Sequence, residues 1–551
     1  MSSEINARQY VRCGLYPNMV DVERYEAGSL IKPENIEVQS NNVRLSQYVK
    51  TWEVVPGTWV MSHSLNLKNG LIYGDTRLQT VTNILSNGPD KNEFIKLSES
   101  MYEPETSEKL WGILTDGNFI HPKTQAENVY QYHTPDLYAD KPHTRLLRVL
   151  LTDKCNLDCS YCKVMPFLNP PEKMHQPVSA VRSKDLDAVT DMFFEGSVAE
   201  EDKTIHVSGG EPLIAPNEVK HIYDRAIAKK RPGERLRLVL GTNAMLMTNE
   251  FAKYMADNNV FAIVSVDGRP ETHNTYRLNH AGQASFKKVD VGLQIIRAHK
   301  LHYGLSMVVG KHNHQTINEE IDWMLKQYPE MVSLGVNKMK PPTPNQKDFE
   351  GLISPEEYVE AVYTAHQKFR NTGLYLELVN RHLGPFVEGT VRAHDCGAAS
   401  GTTINIGPDG KIGTCKTAVA TGWLSSSMEN KEQMDAVMKA LRARSQLYKN
   451  ECQKCPALGV CGNGCAYEAE VQHGDMNGID EEGCGYTQLF LERFHKDLTY
   501  LLADKISDNS FYVPTKEDRK KLYGNVIPNE LTLAGSIGHT NTISINGTYQ
   551  E

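Results

Sequence analysis

Six short runs of apolar and β-branched residues recur between residues 146 and 340: "LLRVLLT" (146–152), "TIHVSG" (204–209), "LRLVLGTN" (236–243), "FAIVSVDG" (261–268), "YGLSMVVG" (303–310) and "VSLGVNKMK" (332–340). Runs this short suit buried strands, whereas intervening segments such as "SKDLDAVTDMFFEG" and "INEEIDWMLKQY" place apolar residues at helical spacing. Six strand–helix units in a row predict a parallel α/β sheet or an open barrel. In such folds ligands gather at the carboxyl ends of the strands.

The residues just past each strand are therefore the ones to inspect. "LTDKCNLDCSYCKV" comes directly after the first and brings Cys155, Cys159 and Cys162 close together. A structural zinc site closes its tetrahedron with four protein ligands, and disulfides use cysteines in pairs, so a tight group of three leaves one position for an outside ligand. "SGGEP" (Ser208, Gly209, Gly210, Glu211) comes after the second strand, where the glycines admit close backbone approach and Glu211 can accept hydrogen bonds from an ammonium group. "GTNA", with Asn243, comes after the third, and Ser265 and Asp267 end the fourth, with Arg277 shortly after.

The chain has 551 residues and a formal net charge of -9, which argues against a general nucleic-acid binder. No apolar run approaches the roughly 18 residues that span a bilayer, and "MSSEINARQY" has no signal-peptide core, so no membrane is expected and the expected compartment is the cytoplasm. Thiols stay reduced there, and eleven cysteines in tight groups then read as metal ligands.

The cysteine spacing, Tyr161 before the third cysteine, "GGEP" and the polar strand ends together resemble the radical S-adenosylmethionine (radical SAM) superfamily, over about residues 145–340. The resemblance implies a partial (β/α)6 barrel in which Cys155, Cys159 and Cys162 hold a [4Fe-4S] cluster completed by S-adenosylmethionine. It also implies a one-electron reductant of flavodoxin or ferredoxin type, and hydrogen abstraction from an unactivated carbon. By the family pattern Glu211 holds the methionyl ammonium, Arg277 its carboxylate, and Ser265 or Asp267 a carboxylate or ribose group. Tyr161, Ser208, Gly209, Gly210 and Asn243 complete the expected cofactor-binding set.

Apart from Cys13, the remaining cysteines, Cys396, Cys415, Cys452, Cys455, Cys461, Cys465 and Cys484, resemble the seven-cysteine SPASM extension of radical SAM enzymes, over about residues 390–490. Its crossed pattern implies two auxiliary [4Fe-4S] clusters. Cys452, Cys455, Cys461 and Cys484 fill one, while Cys396, Cys415 and Cys465 hold another that lacks one cysteine. A zinc ribbon on Cys452, Cys455, Cys461 and Cys465 is the competing reading.

In front of the core, "TWEVVPGTWVMSHS" and "GLIYGD" read as strands, with three helical segments after them between residues 76 and 119. A sheet and then three helices resembles the winged-helix element of ribosomal-peptide maturases, which takes a leader peptide as an added strand. A DNA-binding winged helix competes, but the stretch has more acidic than basic residues.

The expected organisation is a recognition domain (1–125), a linker (126–144), the radical SAM core (145–345), a bridging region (346–395), a SPASM domain (396–490) and a C-terminal helix with a turn-rich tail (491–551). The function implied is modification of a ribosomally made precursor peptide, by a thioether or carbon–carbon crosslink. Two alternatives are an anaerobic sulfatase-maturing enzyme and, from another class, a non-catalytic metal-binding winged-helix regulator. Against the first, Lys416 comes after Cys415 where that group carries an acidic residue.

Overall fold

Each of the six apolar runs is a strand in the computed structural model, which describes residues 42–129, 132, 143–173, 175–198 and 202–526. In chain order the strands are β1 (Val43–Leu45), β2 (Val49–Val55), β3 (Thr58–His63), β4 (Leu71–Gly74), β5 (Ile120–Pro122), β6 (Leu146–Leu150), β7 (Lys203–Ser208), β8 (Leu236–Thr242), β9 (Val260–Ser265), β10 (Tyr303–Val309), β11 (Ser333–Lys338), β12 (Tyr375–Leu376), β13 (Thr403–Ile406), β14 (Ile412–Gly413), β15 (Ser425–Ser426) and β16 (Phe511–Tyr512).

Strands β6 to β11 lie side by side in sequence order, all parallel, within a sheet ordered β12-β11-β10-β9-β8-β7-β6-β13-β14-β15. Alternation along β6 explains its mixed composition. Leu147 and Val149 are fully buried in the main core, while Arg148 and Leu150 face an internal cavity. The crossover helices close the other side of the sheet. Helix Ser183–Glu195, for example, buries Leu186, Val189 and Phe193, each contributing on the order of 2 kcal/mol relative to exposure.

The cysteine-rich region extends this sheet, which no run in its sequence announces. Short β13 pairs parallel with β6, Thr403 opposite Leu146 and Ile406 opposite Val149, and β14 returns antiparallel towards Cys415. The two regions are also tied by ion pairs from Lys163 to Glu468 and from Lys338 and Lys340 to Glu482.

The front segment forms the expected sheet and three helices. Strands β2, β3 and β4 make an antiparallel meander, and helices Arg77–Ser86, Lys91–Ser98 and Pro104–Asp116 pack Leu78, Val81, Leu85, Phe94, Leu110 and Leu114 onto Met61 and Ile72. It does not stand apart from the rest, however. Val60, Leu67, Leu71 and Tyr73 belong to the main core, and the Tyr73 hydroxyl lies 2.6 Å from Nδ1 of His495.

The tail expectation needs correction as far as residue 526. Strand β16 pairs antiparallel with β4, Phe511 opposite Gly74 and Tyr512 opposite Tyr73. Arg519, 1% exposed, fastens the segment by donating to the carbonyls of Leu67 (3.0 Å), Lys68 (3.1 Å) and Val387 (3.1 Å). A two-residue strand has no period to read, which is why the segment reads as structureless in sequence.

The expected linker is likewise packed at its start. The buried Glu127 carboxylate accepts from Ser46 (2.6 Å), Tyr132 (2.8 Å), Arg44 (3.1 Å) and the Gln47 amide (3.0 Å). Most of the linker, and the tail beyond 526, lie outside the described residues.

Candidate active site

The three-cysteine loop starts where β6 ends and is stitched to the loop after β7. The Gly210 amide donates to the Thr152 carbonyl (3.0 Å) and the Glu211 amide to the Lys154 carbonyl (2.8 Å). Both glycines are required by this closeness. Gly209 has φ +141°, and a Cβ at Gly210 would overlap the Lys154 carbonyl. Gly210→Ala is therefore expected to push the cysteine loop away and slow any reaction there by about a hundredfold, as roughly 1 Å misplacements do, measured as product formed per chain.

Cys155, Cys159 and Cys162 line one side of a cavity of about 710 Å³ at the carboxyl ends of the strands. The Cys155 sulfur accepts from the Leu157 amide (3.5 Å) and the Cys162 sulfur from the Met165 amide (3.4 Å). From the far side, His280 Nε2 lies 2.8 Å from the Cys155 carbonyl, and the Asp158 amide donates to the Leu278 carbonyl (2.8 Å). Burial raises the Cys155 thiol and pushes the Cys159 thiol up to about 12. Neither becomes a thiolate unaided, so a cationic metal centre is the natural partner of this donor set.

The cavity also gathers Tyr161, Ser208, Gly209, Gly210, Glu211, Asn243, Ser265 and Arg277. Glu211 accepts from the Leu213 amide (3.0 Å), the Thr242 hydroxyl (2.6 Å) and the Asn243 amide (2.7 Å). Burial nevertheless raises its carboxyl. Asn243 donates to Asn156 (2.7 Å) and so reaches the cysteine loop.

Asp267 is the exception. Fully buried, it does not line the cavity but takes two hydrogen bonds from Arg277 (2.9 and 3.0 Å), one from the Tyr161 hydroxyl (2.5 Å) and one from the Val308 amide (2.9 Å). Strand β9 ends at Ser265, so the alternation that would put residues 265 and 267 on one face stops between them. Ser265 faces the cavity, and Asp267 holds Arg277 and Tyr161 from behind.

The other seven cysteines sort by their neighbours. Cys396 bears electrostatically on both Cys415 and Cys465, whereas Cys484 bears on Cys452, Cys455 and Cys461. Sulfurs around one zinc with 2.3 Å bonds lie roughly 3.8 Å apart. Among the described residues, however, no three cysteine sulfurs come within 4.8 Å of one another, a looseness that suits a larger centre. The three-residue group that does is His63, His121 and Glu127. There His63 Nδ1 accepts from the amides of Leu65 (3.2 Å) and Asn66 (2.9 Å), leaving its proton on Nε2, towards Ser46, so the cluster is a closed polar lock in the front segment.

Two inward-facing residues escape the sequence reading, although each leaves a signal there. Arg148 and His206 are lone polar residues on inner positions of otherwise apolar runs, and both line the cavity with Lys416. Lys416 is itself exposed, unlike the buried ring nitrogens of His206.

Residues 149–324 match the Radical SAM superfamily. The radical SAM cyclopropyl synthase TigE of Paramaledivibacter caminithermalis is 20% identical over 475 residues, covering 83% of this chain and 96% of its own. The cysteine-type anaerobic sulfatase-maturating enzyme of Clostridium perfringens is 21% identical over 342 residues, covering 59% of this chain and 89% of its own. A solved structure, native anSMEcpe with bound AdoMet and Kp18Cys peptide, has a TM-score of 0.54 at 17% identity, covering 67% of this chain and all of its own, a likeness of fold.

Proposed function

Because this chain is a radical S-adenosylmethionine enzyme, we propose that it modifies a ribosomally synthesised precursor peptide, installing a thioether or a carbon–carbon crosslink. Cys155, Cys159 and Cys162 would hold the [4Fe-4S] cluster beside S-adenosylmethionine, whose chemistry when bound is reductive cleavage of the sulfonium and hydrogen abstraction from carbon. Cys452, Cys455, Cys461 and Cys484 would hold one auxiliary cluster, and Cys396, Cys415 and Cys465 the other.

The chain's own residues prepare the cavity. Glu211, oriented by Thr242 and Asn243, presents a carboxylate to an ammonium group. The Arg277 guanidinium is fixed by Asp267 and faces a carboxylate position, while Ser208 and Ser265 offer hydroxyls. Leu150, Val164 and Ile263 wall out water.

One observation supports the crosslink reading: Lys416, adjacent to Cys415, lines the cavity, so a cluster held by the three-thiol set would lie near the reaction space. Cys396, Cys415 and Cys465 would leave that cluster one ligand short, and such a centre would supply a place where metal binding lowers a thiol's pKa. Support for a peptide guest comes from the peptide-bound structure of the same fold. The front segment suits leader recognition by strand addition, with the seven-residue β2 at one edge of its sheet and the two-residue β16 at the other.

The sulfatase-maturating likeness favours the second reading, conversion of a cysteine or serine to an aldehyde. The test is to incubate reconstituted enzyme, S-adenosylmethionine and reductant with a precursor peptide encoded beside this chain and, separately, with a sulfatase-derived cysteine peptide. The proposal expects the precursor alone to lose a pair of hydrogens, and to react more slowly once its leader is removed. An aldehyde on the sulfatase peptide, with the precursor unchanged, reverses the choice.

A further inference from the structure

The deeper wall of the cavity is cationic. Arg148 on β6 and His206 on β7 are register partners, so their side chains stand together on the inner face of the sheet. Lys416 reaches in from the cysteine-rich side, and both Arg148 and Lys416 act electrostatically on His206. Both ring nitrogens of His206 are buried without a hydrogen-bond partner, and Lys416 makes no hydrogen bond or ion pair among the described residues. Arg148 is already acted on by Cys415, Cys396 and Glu377, but the acidic residues of the lining do not meet the Lys416 ammonium. Glu211 is engaged by three donors, and Asp158 lies exposed on the cysteine loop.

The ring nitrogens of His206 are buried without a partner, which is costly until an acceptor meets the ring N–H, and the exposed Lys416 ammonium and the Arg148 guanidinium line the same wall. A guanidinium fork, a ring N–H and an ammonium converging from three segments match the oxygens of a carboxylate. We propose that Arg148, His206 and Lys416 form a carboxylate subsite that holds an acidic group of the peptide segment under reaction, either an aspartate or glutamate side chain or a C-terminal carboxylate. The assignment rests on the peptide reading above. The rival occupant is the enzyme's own metal centres, since Lys416 also bears on Cys162 and Cys415.

The test uses reconstituted holoenzyme and ligand-observed NMR with four probes: N-acetyl-glutamate N-methylamide, its glutamine counterpart, N-acetyl-alanine and succinate. The subsite predicts that one of the two carboxylate-bearing amino acids binds about tenfold more tightly than the glutamine probe. Preference for the glutamate probe assigns a side chain, and preference for N-acetyl-alanine a chain terminus. That discrimination should fall to about unity in Lys416→Met and in His206→Asn. Iron content is measured first, and His206→Asn, remote in sequence from every cluster cysteine, decides the matter if Lys416→Met loses iron. Succinate binding with neither blocked amino acid bound would keep the subsite but overturn the peptide reading. Equal binding of the glutamate and glutamine probes overturns the subsite and leaves the peptide reading standing. Discrimination that survives in the variants, or variants that shift only the clusters' reduction potentials, also overturns it.

Discussion

Replacing Cys155, Cys159 and Cys162 together by alanine is expected to abolish formation of 5'-deoxyadenosine and to remove about four of an expected total of roughly twelve irons. Among the described residues no other cysteine lines the cavity, so nothing can stand in for the lost ligands. The other seven thiols sit on separate supports: Cys396 opens helix Gly397–Ser400, Cys461 ends helix Leu458–Cys461, and Cys484 lies in the long helix Glu481–Leu501. Their iron should survive the change. Anaerobic iron and sulfide analysis alongside chromatography of the nucleoside product checks both halves. Persistent cleavage in the triple variant means that the cosubstrate is bound elsewhere.

Asp267→Ala is expected to cost about 3–5 kcal/mol, the usual consequence of removing one partner from a buried ion pair. The Arg277 side chain, 9% exposed, keeps its charge with no counter-ion, and the Tyr161 hydroxyl and Val308 amide lose their acceptor. Tyr161 lies between Cys159 and Cys162, so the same change loosens the cysteine loop and weakens iron retention. Burial alone would raise the Asp267 carboxyl, but the Arg277 charge and hydrogen bonds hold it below the ordinary range. With the folded pKa below the unfolded value of about 3.9, this stabilisation is complete well above that value and fades as pH falls through the folded pKa. Thermal unfolding of wild type and variant at neutral pH, repeated at acid pH, measures the difference. A loss under about 1 kcal/mol at neutral pH contradicts the assigned role.

The parallel core was legible because its signal is local. "TIHVSG" and "FAIVSVDG" are apolar runs that end in turn residues, and their strands start within one residue of those runs and stop one and three residues before their ends. What was not legible depends on partners far along the chain. The run "TINI" at 403–406 is a strand because β6 lies beside it, and "FY" at 511–512 is one because β4 does. The cavity shows the same division. Cysteine spacing and "GGEP" declare themselves in sequence, and the structure brings Glu211, Asn243, Ser265 and Arg277 to the same cavity. The separate tasks of Ser265 and Asp267 depend on where a strand ends, and the path of the chain from Cys396 to Cys415 on how the β13–β14 hairpin folds against the core. Arg148 and His206 were visible as polar interruptions, but only the register of β6 with β7 shows that they stand together.

The central claim is that this cavity cleaves S-adenosylmethionine by one-electron chemistry at a cluster held by three cysteines. Anaerobically reconstituted wild-type protein, given S-adenosylmethionine and a strong reductant, tests it directly. Roughly twelve irons per chain, broad thiolate-to-iron absorption and steady release of 5'-deoxyadenosine are expected. Protein that takes up zinc with little iron, or that carries its full iron and releases no 5'-deoxyadenosine, contradicts it.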